Sequence, residues 1–303
     1  MDDRALEVFL SVYRSLNYTQ TAKERHMSVS AVSRSIARLE QELGRALFDR
    51  DRRGMRPTAA AESLRPLADQ MLTDWRALKR VVQPGIELQG DVRLYCSVTA
   101  THRLLSPLLA AYRSTYPGVR VLLQTGDQAD GIDHVLKGEA DAAVVALPAS
   151  LASQLSFQSI TTSKLHLCLP PTSSEFWSGR QPIAKKRFSQ ALEGAPWILP
   201  ERGVSRRLID AWLEEEYDEP PNVYARVAGH EAIAAMVSLG LGVGVVPQLV
   251  VEASASAESL QVLDLGSRIP KLDVGVCVRS GRLSDPVIEG LWQVAKEMKR
   301  DAS

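Results

Sequence analysis

Short polar and long cationic side chains between residues 28 and 38 could read the edges of nucleic-acid bases. If this stretch is a helix, Arg34 can donate two hydrogen bonds to a guanine edge, and Val29 can contact a thymine methyl group. Arginines between residues 50 and 56 could neutralise phosphates or enter a narrow minor groove. The predicted DNA contacts are Thr19, Ser28, Val29, Ser30, Ser33, Arg34, Arg38, Arg50, Arg52, Arg53 and Thr58. The residue pattern alone leaves one alternative, which is a small helical bundle with an exposed charged face.

A second group of residues could bind a small carboxylate. The segment 97–100 follows a strand-like run and opens a helix, and such a junction offers backbone N–H groups beside hydroxyl donors. Thr125 ends the next strand, and residues 229–231 repeat the strand-to-helix junction further along the chain. The predicted effector-binding residues are Ser97, Val98, Thr99, Ala100, Thr125, Arg202, Gly203, Gly229, His230 and Glu231. A purely structural role, as a cap or in packing, stays an alternative for Thr99, Thr125 and His230.

The elements that position the first group are short helices with tight breaks. Apolar residues recur at helical spacing over residues 6–13, and Thr21-x-x-Glu24 resembles a capping box for a second helix. Ser28 is a good N-cap and Gly44 a good C-cap for a third helix. A hairpin with arginines at its tip and a long helix come next. This order is typical of a winged helix-turn-helix.

The elements that position the second group have a different pattern. From residue 91 onward, strand-like runs alternate with helical periodicity, which predicts a parallel sheet with flanking helices. The alternation pauses near 148–163 and again at 253–259. His230 and Glu231 do not suggest a metal site, because adjacent residues rarely converge on one ion. We predict no metal, no cofactor and no catalytic residue.

Composition limits the class of protein further. The 303 residues suggest about two domains, and 45% apolar with 24% charged residues is ordinary for a globular chain. Residues 1–82 contain 15 Lys and Arg against 11 Asp and Glu, a net +4, and the remainder carries −4. These values exclude a uniformly basic coating protein and an acidic disordered chain.

Targeting signals and the spacing of the cysteines limit the class of protein as well. No transmembrane helix and no signal peptide are predicted, so we expect a cytoplasmic protein without a membrane partner. Cys96, Cys168 and Cys277 are far apart and form no CxxC pair. We expect them to be small buried hydrophobes.

The segment from Ala22 to Gly44, AKERHMSVSAVSRSIARLEQELG, resembles the helix-turn-helix signature of LysR-type transcriptional regulators. Leu47-Phe48-x-Arg50 and Thr58-x-Ala60 follow where that family has its wing and linker. The resemblance implies an N-terminal all-α winged helix-turn-helix plus a long linker helix, and a C-terminal α/β two-lobed effector domain like periplasmic binding proteins. The family commonly has Gln and Pro where this chain has Val29 and Ser30, so the roles of both residues and the operator sequence stay open.

The same resemblance sets the expected domain boundaries. They are 1–58 for the DNA-binding domain, 59–88 for the linker and dimerisation helix, and 89–303 for the effector domain. Within the last, lobe I is expected at about 89–160 and 266–303, and lobe II at about 161–265.

Blocks in both lobes resemble the IlvY subgroup of this family. They are Cys96–Ala100, Thr125–Asp130, Gly138–Asp141, Gly229–Ala232 and Gly275–Cys277. That subgroup activates the acetohydroxyacid isomeroreductase gene of isoleucine and valine biosynthesis, and acetolactate and acetohydroxybutyrate are its inducers. The resemblance implies an activator that binds a double-stranded DNA operator and RNA polymerase and holds an acetohydroxy acid between its lobes. It also implies homodimers that assemble into a homotetramer.

Three other functions compete with this interpretation. An enzyme is disfavoured because the chain has neither a G-x-S-x-G elbow nor a convincing metal cluster. A transport-type solute-binding protein is disfavoured, because the sequence predicts no signal peptide and does predict a DNA-binding module. The serious alternative is a LysR-type regulator that responds to a different small carboxylate or acts as a repressor.

Overall fold

The computed structural model describes residues 3–51, 54–82, 88–97, 100–171, 192–254 and 259–301. The chain divides into two compact units. The first comprises residues 1–87 and 281–289, and the second comprises residues 88–280 and 290–303.

The first unit contains three short helices, a two-stranded ribbon and a long helix. In chain order they are α1 (Asp3–Ser15), α2 (Tyr18–Glu24), α3 (Val29–Leu43), β1 (Phe48–Asp51), β2 (Gly54–Pro57) and α4 (Ala59–Val82). The strands β1 and β2 pair antiparallel. This arrangement confirms the winged helix-turn-helix and the long helix that the sequence predicts, with Pro66 inside α4.

The apolar faces of these helices form one core. Phe9, Val32, Ile36 and Leu39 are buried in it, and Leu47 joins them from the segment just before β1. Because α1, α3 and the start of the wing share these contacts, the outer face of α3 is held in a fixed orientation relative to the wing.

The helix caps agree with the sequence prediction at α3 and disagree at α2. Ser28 caps the N-terminus of α3, and Gly44 ends it with a φ of 66°. The predicted capping box at Thr21 is wrong. Asn17 caps α2, since its side-chain oxygen accepts from the N–H groups of Thr19 at 2.8 Å and Gln20 at 3.1 Å. Thr21 instead lies buried inside the helix.

The second unit contains two five-stranded sheets. We define lobe I as the sheet ordered β4-β3-β5-β12-β6 with its helices, and lobe II as the sheet ordered β11-β7-β10-β8-β9 with its helices. The strands of lobe I are β3 (Gly90–Cys96), β4 (Val119–Thr125), β5 (Ala142–Ala146), β6 (Leu155–Ser163) and β12 (Leu272–Arg279). Those of lobe II are β7 (Leu165–Leu169), β8 (Trp197–Pro200), β9 (Val223–Val227), β10 (Val243–Pro247) and β11 (Gln261–Asp264).

Both sheets are mixed, which corrects the prediction of a parallel sheet. In lobe I, β3 pairs parallel with β4 and β5, whereas β12 pairs antiparallel with β5 and β6. In lobe II, β8 pairs parallel with β9 and β10, whereas β7 pairs antiparallel with β10 and β11. The parallel pairs follow helical crossovers, and every antiparallel pair involves one strand in each sheet, which is β12 in lobe I and β7 in lobe II.

Helices flank the strands of this unit. They are Ser106–Thr115 and Gly131–Leu136 in lobe I, and Gly203–Glu216, His230–Ser238 and Gln248–Ala253 in lobe II. A π-helical turn, Thr101–Leu105, precedes the first of them. The last helix, Pro286–Asp301, belongs to the first unit up to residue 289 and to the second from residue 290.

Strand β6 lies where the sequence alternation pauses. Its nine residues are rich in Ser and Thr, and most of them are only partly buried at the edge of the sheet. An edge strand with one neighbour needs little apolar surface, so its hydrophobic signal is weak. No helix among the described residues is both long and apolar enough to cross a membrane.

Candidate DNA-reading surface and effector cleft

The outer face of α3 is exposed and carries most of the predicted base contacts. Ser28, Val29, Ser30, Ser33 and Arg34 are all exposed. Val29 keeps 44% of its surface accessible although it is apolar. An exposed valine beside short hydroxyl side chains suits contact with a base edge that bears a methyl group.

The two arginines of this face differ in their partners. Arg38 donates from Nε to a carboxylate oxygen of Glu42 at 3.2 Å, one helical turn away. None of the described residues pairs with the guanidinium of Arg34. Arg34 can therefore donate all its hydrogen bonds to a ligand, whereas Arg38 must first exchange a partner.

The hydroxyl groups at the helix ends already take part in local hydrogen bonds. Ser28 Oγ accepts from the N–H of Ala31 at 3.1 Å and lies 3.0 Å from Ser30 Oγ. Thr58 donates to the carbonyl oxygen of Ala46 at 2.8 Å, and its oxygen accepts from the N–H of Ala61 at the start of α4. Thr58 thus fixes the junction of wing and linker, and its contact with DNA stays a prediction.

The remaining predicted DNA contacts lie in α2 and in the wing. Thr19 is exposed near the N-terminus of α2, and Arg56, on the second strand of the wing, is exposed as well. Arg52, Arg53 and the side chain of Arg50 lie outside the described residues.

Glu40 is a positioning residue that sequence reasoning missed. Its Oε1 accepts from the backbone N–H of Leu47 at 2.7 Å and of Phe48 at 3.3 Å, which ties α3 to the start of the wing. The signal was available, because Glu40 lies one turn after Ile36 on the buried side of α3. A carboxylate on an apolar face usually has a partner.

A cavity of about 300 Å³ opens between lobe I and lobe II. Lobe I contributes Asp127 and Ile132, and lobe II contributes Arg202, Val204 and His230. The cavity therefore combines a cationic group, carboxylates, an imidazole and apolar side chains. This combination fits a small carboxylate that also has an alkyl part.

The structure brings some of the predicted effector residues together and not others. Arg202, Gly203 and His230 line the cavity. Among the described residues, its lining does not include Ser97, Ala100, Thr125, Gly229 or Glu231. Val98 and Thr99 lie outside the described residues.

Arg202 faces carboxylates from the other lobe. Its two terminal nitrogens donate to the two oxygens of Asp130 at 2.6 and 2.9 Å, and its Nε lies 3.3 Å from an oxygen of Asp127. Asp130 raises the pKa of Arg202 above its ordinary value. Gly203 has a φ of +93°, and an added Cβ there would lie 3.2 Å from Ala129 Cβ, so the backbone after Arg202 passes close to lobe I.

His230 begins the helix His230–Ser238 directly after Gly229, whose φ of 82° suits glycine. Its Nε2 is buried, and no described atom forms a hydrogen bond with it. Burial lowers the pKa of His230, although Glu231 and Asp127 act in the opposite direction. The lowered pKa favours the neutral imidazole, and His230 lines the cavity while its Nε2 lies buried behind the surface.

Strands β3 and β4 of lobe I end side by side. Cys96 and Thr125 are paired at the ends of β3 and β4, and Thr125 is exposed. Ser97 Oγ accepts from the N–H of Ala100 at 3.2 Å and acts as a cap. Tyr95 donates to the carbonyl oxygen of Asp127 at 2.9 Å, which positions the loop that faces Arg202.

Two family models match these regions of the chain. One is described as "Bacterial regulatory helix-turn-helix protein, lysR family" and matches residues 4–62. The other is described as "LysR substrate binding domain" and matches residues 85–300. The chain belongs to the LysR family of transcriptional regulators. The function of this LysR-family protein is thus DNA-binding regulation and not enzymatic catalysis.

Curated relatives of this LysR-family regulator extend over nearly its whole length. It is 34% identical over 302 residues to the HTH-type transcriptional regulator IlvY of Escherichia coli (strain K12), covering 99% of this chain and 100% of that protein. It is 33% identical over 293 residues to the HTH-type transcriptional activator IlvY of Haemophilus influenzae, covering 96% of this chain and 99% of that protein. The predicted resemblance to the family and to its IlvY subgroup is confirmed.

Solved structures have the same fold. A full-length OxyR variant from Pseudomonas aeruginosa aligns with a TM-score of 0.72 at 19% identity, over 98% of this chain and 95% of that chain. Full-length CbnR complexed with its target DNA aligns with a TM-score of 0.57 at 18% identity, over 98% of this chain and 100% of that chain. The predicted fold class is confirmed by these similarities and by the two sheets.

The cysteines of this LysR-family regulator are poorly suited to thiolate chemistry. Cys96, Cys168 and Cys277 are all buried and not in disulfides, as the sequence predicts. Burial raises the pKa of Cys168 to about 12 and that of Cys277 to about 11. Since the thiolate is the reactive form, both thiols are unreactive at neutral pH.

Proposed function

We propose that this LysR-family regulator activates genes of isoleucine and valine biosynthesis in response to acetolactate or acetohydroxybutyrate. The observation that carries the proposal is the 34% identity to IlvY over nearly the full length of both chains. Because identity extends through both lobes, it includes the region that would recognise the inducer. The protein would act in the cytoplasm, where its operator lies.

The proposed inducer-binding residues are those of the cleft between the lobes. Arg202 would bind the carboxylate, and the buried Nε2 of His230 would form a hydrogen bond with the hydroxyl or keto oxygen. Ile132 and Val204 would contact the alkyl groups. A charged donor, a neutral polar group and an apolar wall match the three parts of a short acetohydroxy acid. Effector contacts from Ser97 to Ala100, Thr125, Gly229 and Glu231 remain part of the proposal.

The proposed DNA-binding residues are those of α3 and the wing, together with Thr19 and Thr58. Two α3 helices of a homodimer would enter successive major grooves about 34 Å apart, or a multiple of that distance. Arg34 and Val29 would contact bases, and the wing arginines would contact phosphates. The domain boundaries 1–58, 59–88 and 89–303 belong to the same proposal.

Pairing through α4 is supported by its exposed apolar side chains. Four of them lie three or four residues apart: Leu67, Met71, Trp75 and Leu78. A stripe at this spacing is the seam of a helix pair. The outer strands β4 and β9 expose apolar residues that could join dimers into the proposed tetramer, namely Leu122, Leu123, Val223 and Tyr224.

Inducer binding would then regulate transcription by shifting an equilibrium between two arrangements of the lobes. A ligand can shift that equilibrium only by its differential affinity, with a coupling of typically about 1–3 kcal/mol. The tetramer would transmit the shift to DNA bending and to RNA polymerase.

The decisive experiment is a footprint of the full-length protein on an operator isolated by affinity selection from genomic DNA. We expect acetolactate to change the footprint and to increase transcription from the same promoter, whereas pyruvate at the same concentration changes neither. An unchanged footprint together with unchanged transcription would remove acetolactate as the inducer. Thermal-shift screening of small carboxylates would then find the acid that the cleft prefers.

A further inference from the structure

The two lobes are bridged by arginine side chains in opposite directions. Arg202 of lobe II binds Asp130 and Asp127 of lobe I. Arg103 of lobe I donates from Nη2 to the carbonyl oxygen of Glu252 at 2.6 Å, near the end of the helix Gln248–Ala253 in lobe II. The lobes are therefore in polar contact at two places.

The Arg202 bridge differs from the Arg103 bridge because it involves the cavity. Arg202 and Asp127 line the cavity, and Asp130 lies beside it. Both oxygens of Asp130 bind the two terminal nitrogens of Arg202, which is the geometry that an arginine offers to any carboxylate. Asp130 thus occupies the donor pair that the carboxylate of a small acid would need.

Asp127 and Asp130 have different roles in this contact. Asp127 Oδ1 also accepts from the N–H of Ala129 at 3.1 Å, so it holds its own loop in place. Asp130 makes no side-chain cap bond to the helix Gly131–Leu136. Its carboxylate can therefore leave Arg202 without disturbing the local backbone.

We infer that Asp130 is an internal competitor for the carboxylate of the inducer: it keeps Arg202 paired and the cleft latched until a ligand takes its place. The inference rests on the proposed inducer site and adds a regulatory role for a residue that the site itself does not require. Ligand binding exchanges one carboxylate for another at Arg202, and the released Asp130 becomes hydrated. The latch stabilises the unliganded state alone, so it sets how much inducer is needed.

Exposure limits the size of this effect. Arg202 is 50% exposed and Asp130 is 32% exposed at their side chains, so water weakens their attraction. Ion pairs that water reaches change an equilibrium constant by about fivefold at most.

The test compares Asp130→Asn with Asp133→Asn in the full-length protein. Asp133 lines the same cavity and is exposed, and no described residue pairs with its side chain. Both variants remove one negative charge near the ligand, but only Asp130→Asn removes the latch. By isothermal titration calorimetry with acetolactate, we expect Asp130→Asn to bind three- to fivefold more tightly than Asp133→Asn. Equal or weaker binding by Asp130→Asn would overturn the inference.

A second measurement needs no ligand and separates this inference from the proposed function. Amide hydrogen exchange of the unliganded proteins should be faster at residues 126–130 and 201–204 in Asp130→Asn than in the wild type or Asp133→Asn. If these residues exchange at the same rate in all three proteins, the latch is refuted even when acetolactate binds. If exchange accelerates while acetolactate fails to bind the wild type, the latch stands and the proposed inducer is wrong.

Discussion

The outer face of α3 and the cleft between the lobes handle charge in opposite ways. On α3, Arg34 points outward with no partner among the described residues, and the predicted contacts come from one continuous stretch of chain. In the cleft, Arg202 is already paired with carboxylates from a distant part of the chain, since Asp130 comes 72 residues earlier. A surface that meets a polyanion gains from unpaired cations, because counterion release favours binding. A site that senses a small acid gains from a paired cation, because the acid must displace the partner. That exchange sets the concentration of acid that is needed for binding.

The largest effect is expected for a change that weakens the wing and operator binding but leaves the cleft unchanged. Glu40→Ala leaves the backbone N–H groups of Leu47 and Phe48 without their charged acceptor, which should cost about 3 kcal/mol of local stability in the wing. We expect faster hydrogen exchange at residues 47–57 and weaker operator binding by fluorescence anisotropy, with unchanged acetolactate affinity. Glu42→Ala removes the same charge from the exposed side of α3 and serves as the control. Unchanged exchange in Glu40→Ala would show that the wing is held by its apolar contacts.

The next effect tests whether α3 reads bases. Arg34→Ala should cost roughly 1–3 kcal/mol of operator affinity and relax base preference at one position of the site. Binding selections on randomised operators would measure both quantities. Arg38→Ala is the matched control, since Arg38 is already paired with Glu42 and should matter less. An equal loss on every sequence would identify Arg34 as a phosphate contact instead.

A smaller effect is expected on the cleft side. His230→Gln should weaken acetolactate binding by about 1 kcal/mol, the usual contribution of a neutral hydrogen bond, and leave operator binding unchanged. Calorimetry provides the affinity. His166→Gln is the control, because His166 also has a buried, unpaired ring nitrogen in lobe II but does not line the cavity. If both variants bind equally well, His230 has only a structural role.

The smallest effect concerns pH. The pKa of His230 in the folded chain lies below its ordinary value of about 6.5, so the unfolded chain takes up the proton first as pH falls. Above about pH 6.5, His230 is neutral in both states and does not change the free energy of unfolding. As the pH falls from there to the lower pKa of the folded chain, that free energy decreases. The midpoint temperature of thermal unfolding should therefore fall more steeply between pH 7 and pH 5 for the wild type than for His230→Gln. Parallel curves would contradict the lowered pKa.

Local sequence signals predicted the parts of the fold that local physics controls. The apolar stripe of α3, its Ser28 and Gly44 caps and the extent of α4 were all visible, because each depends on residues a few positions apart. The capping of α2 by Asn17 was missed, because both Asn17 and Thr21 are plausible caps and burial of Thr21 decides between them.

Features that depend on distant residues were less accessible. Strand β6 carries a weak apolar pattern at a sheet edge, and the antiparallel pairing of β12 is a matter of topology. In the cleft, Arg202 and His230 were predicted to lie near the ligand, but the pairing of Arg202 with Asp130 has no local signature. Sequence reasoning thus identified Arg202 and His230 and missed the partner of Arg202.

The position of β12 has a consequence for biosynthesis. This strand, near the end of the chain, lies inside the lobe I sheet between β5 and β6 and pairs with both. Until residue 279 has left the ribosome, the two earlier strands lack their shared neighbour, whereas the helix-turn-helix segments emerged far earlier. Translation therefore completes the helix-turn-helix segments early, whereas the lobe I sheet can close only after β12 has emerged.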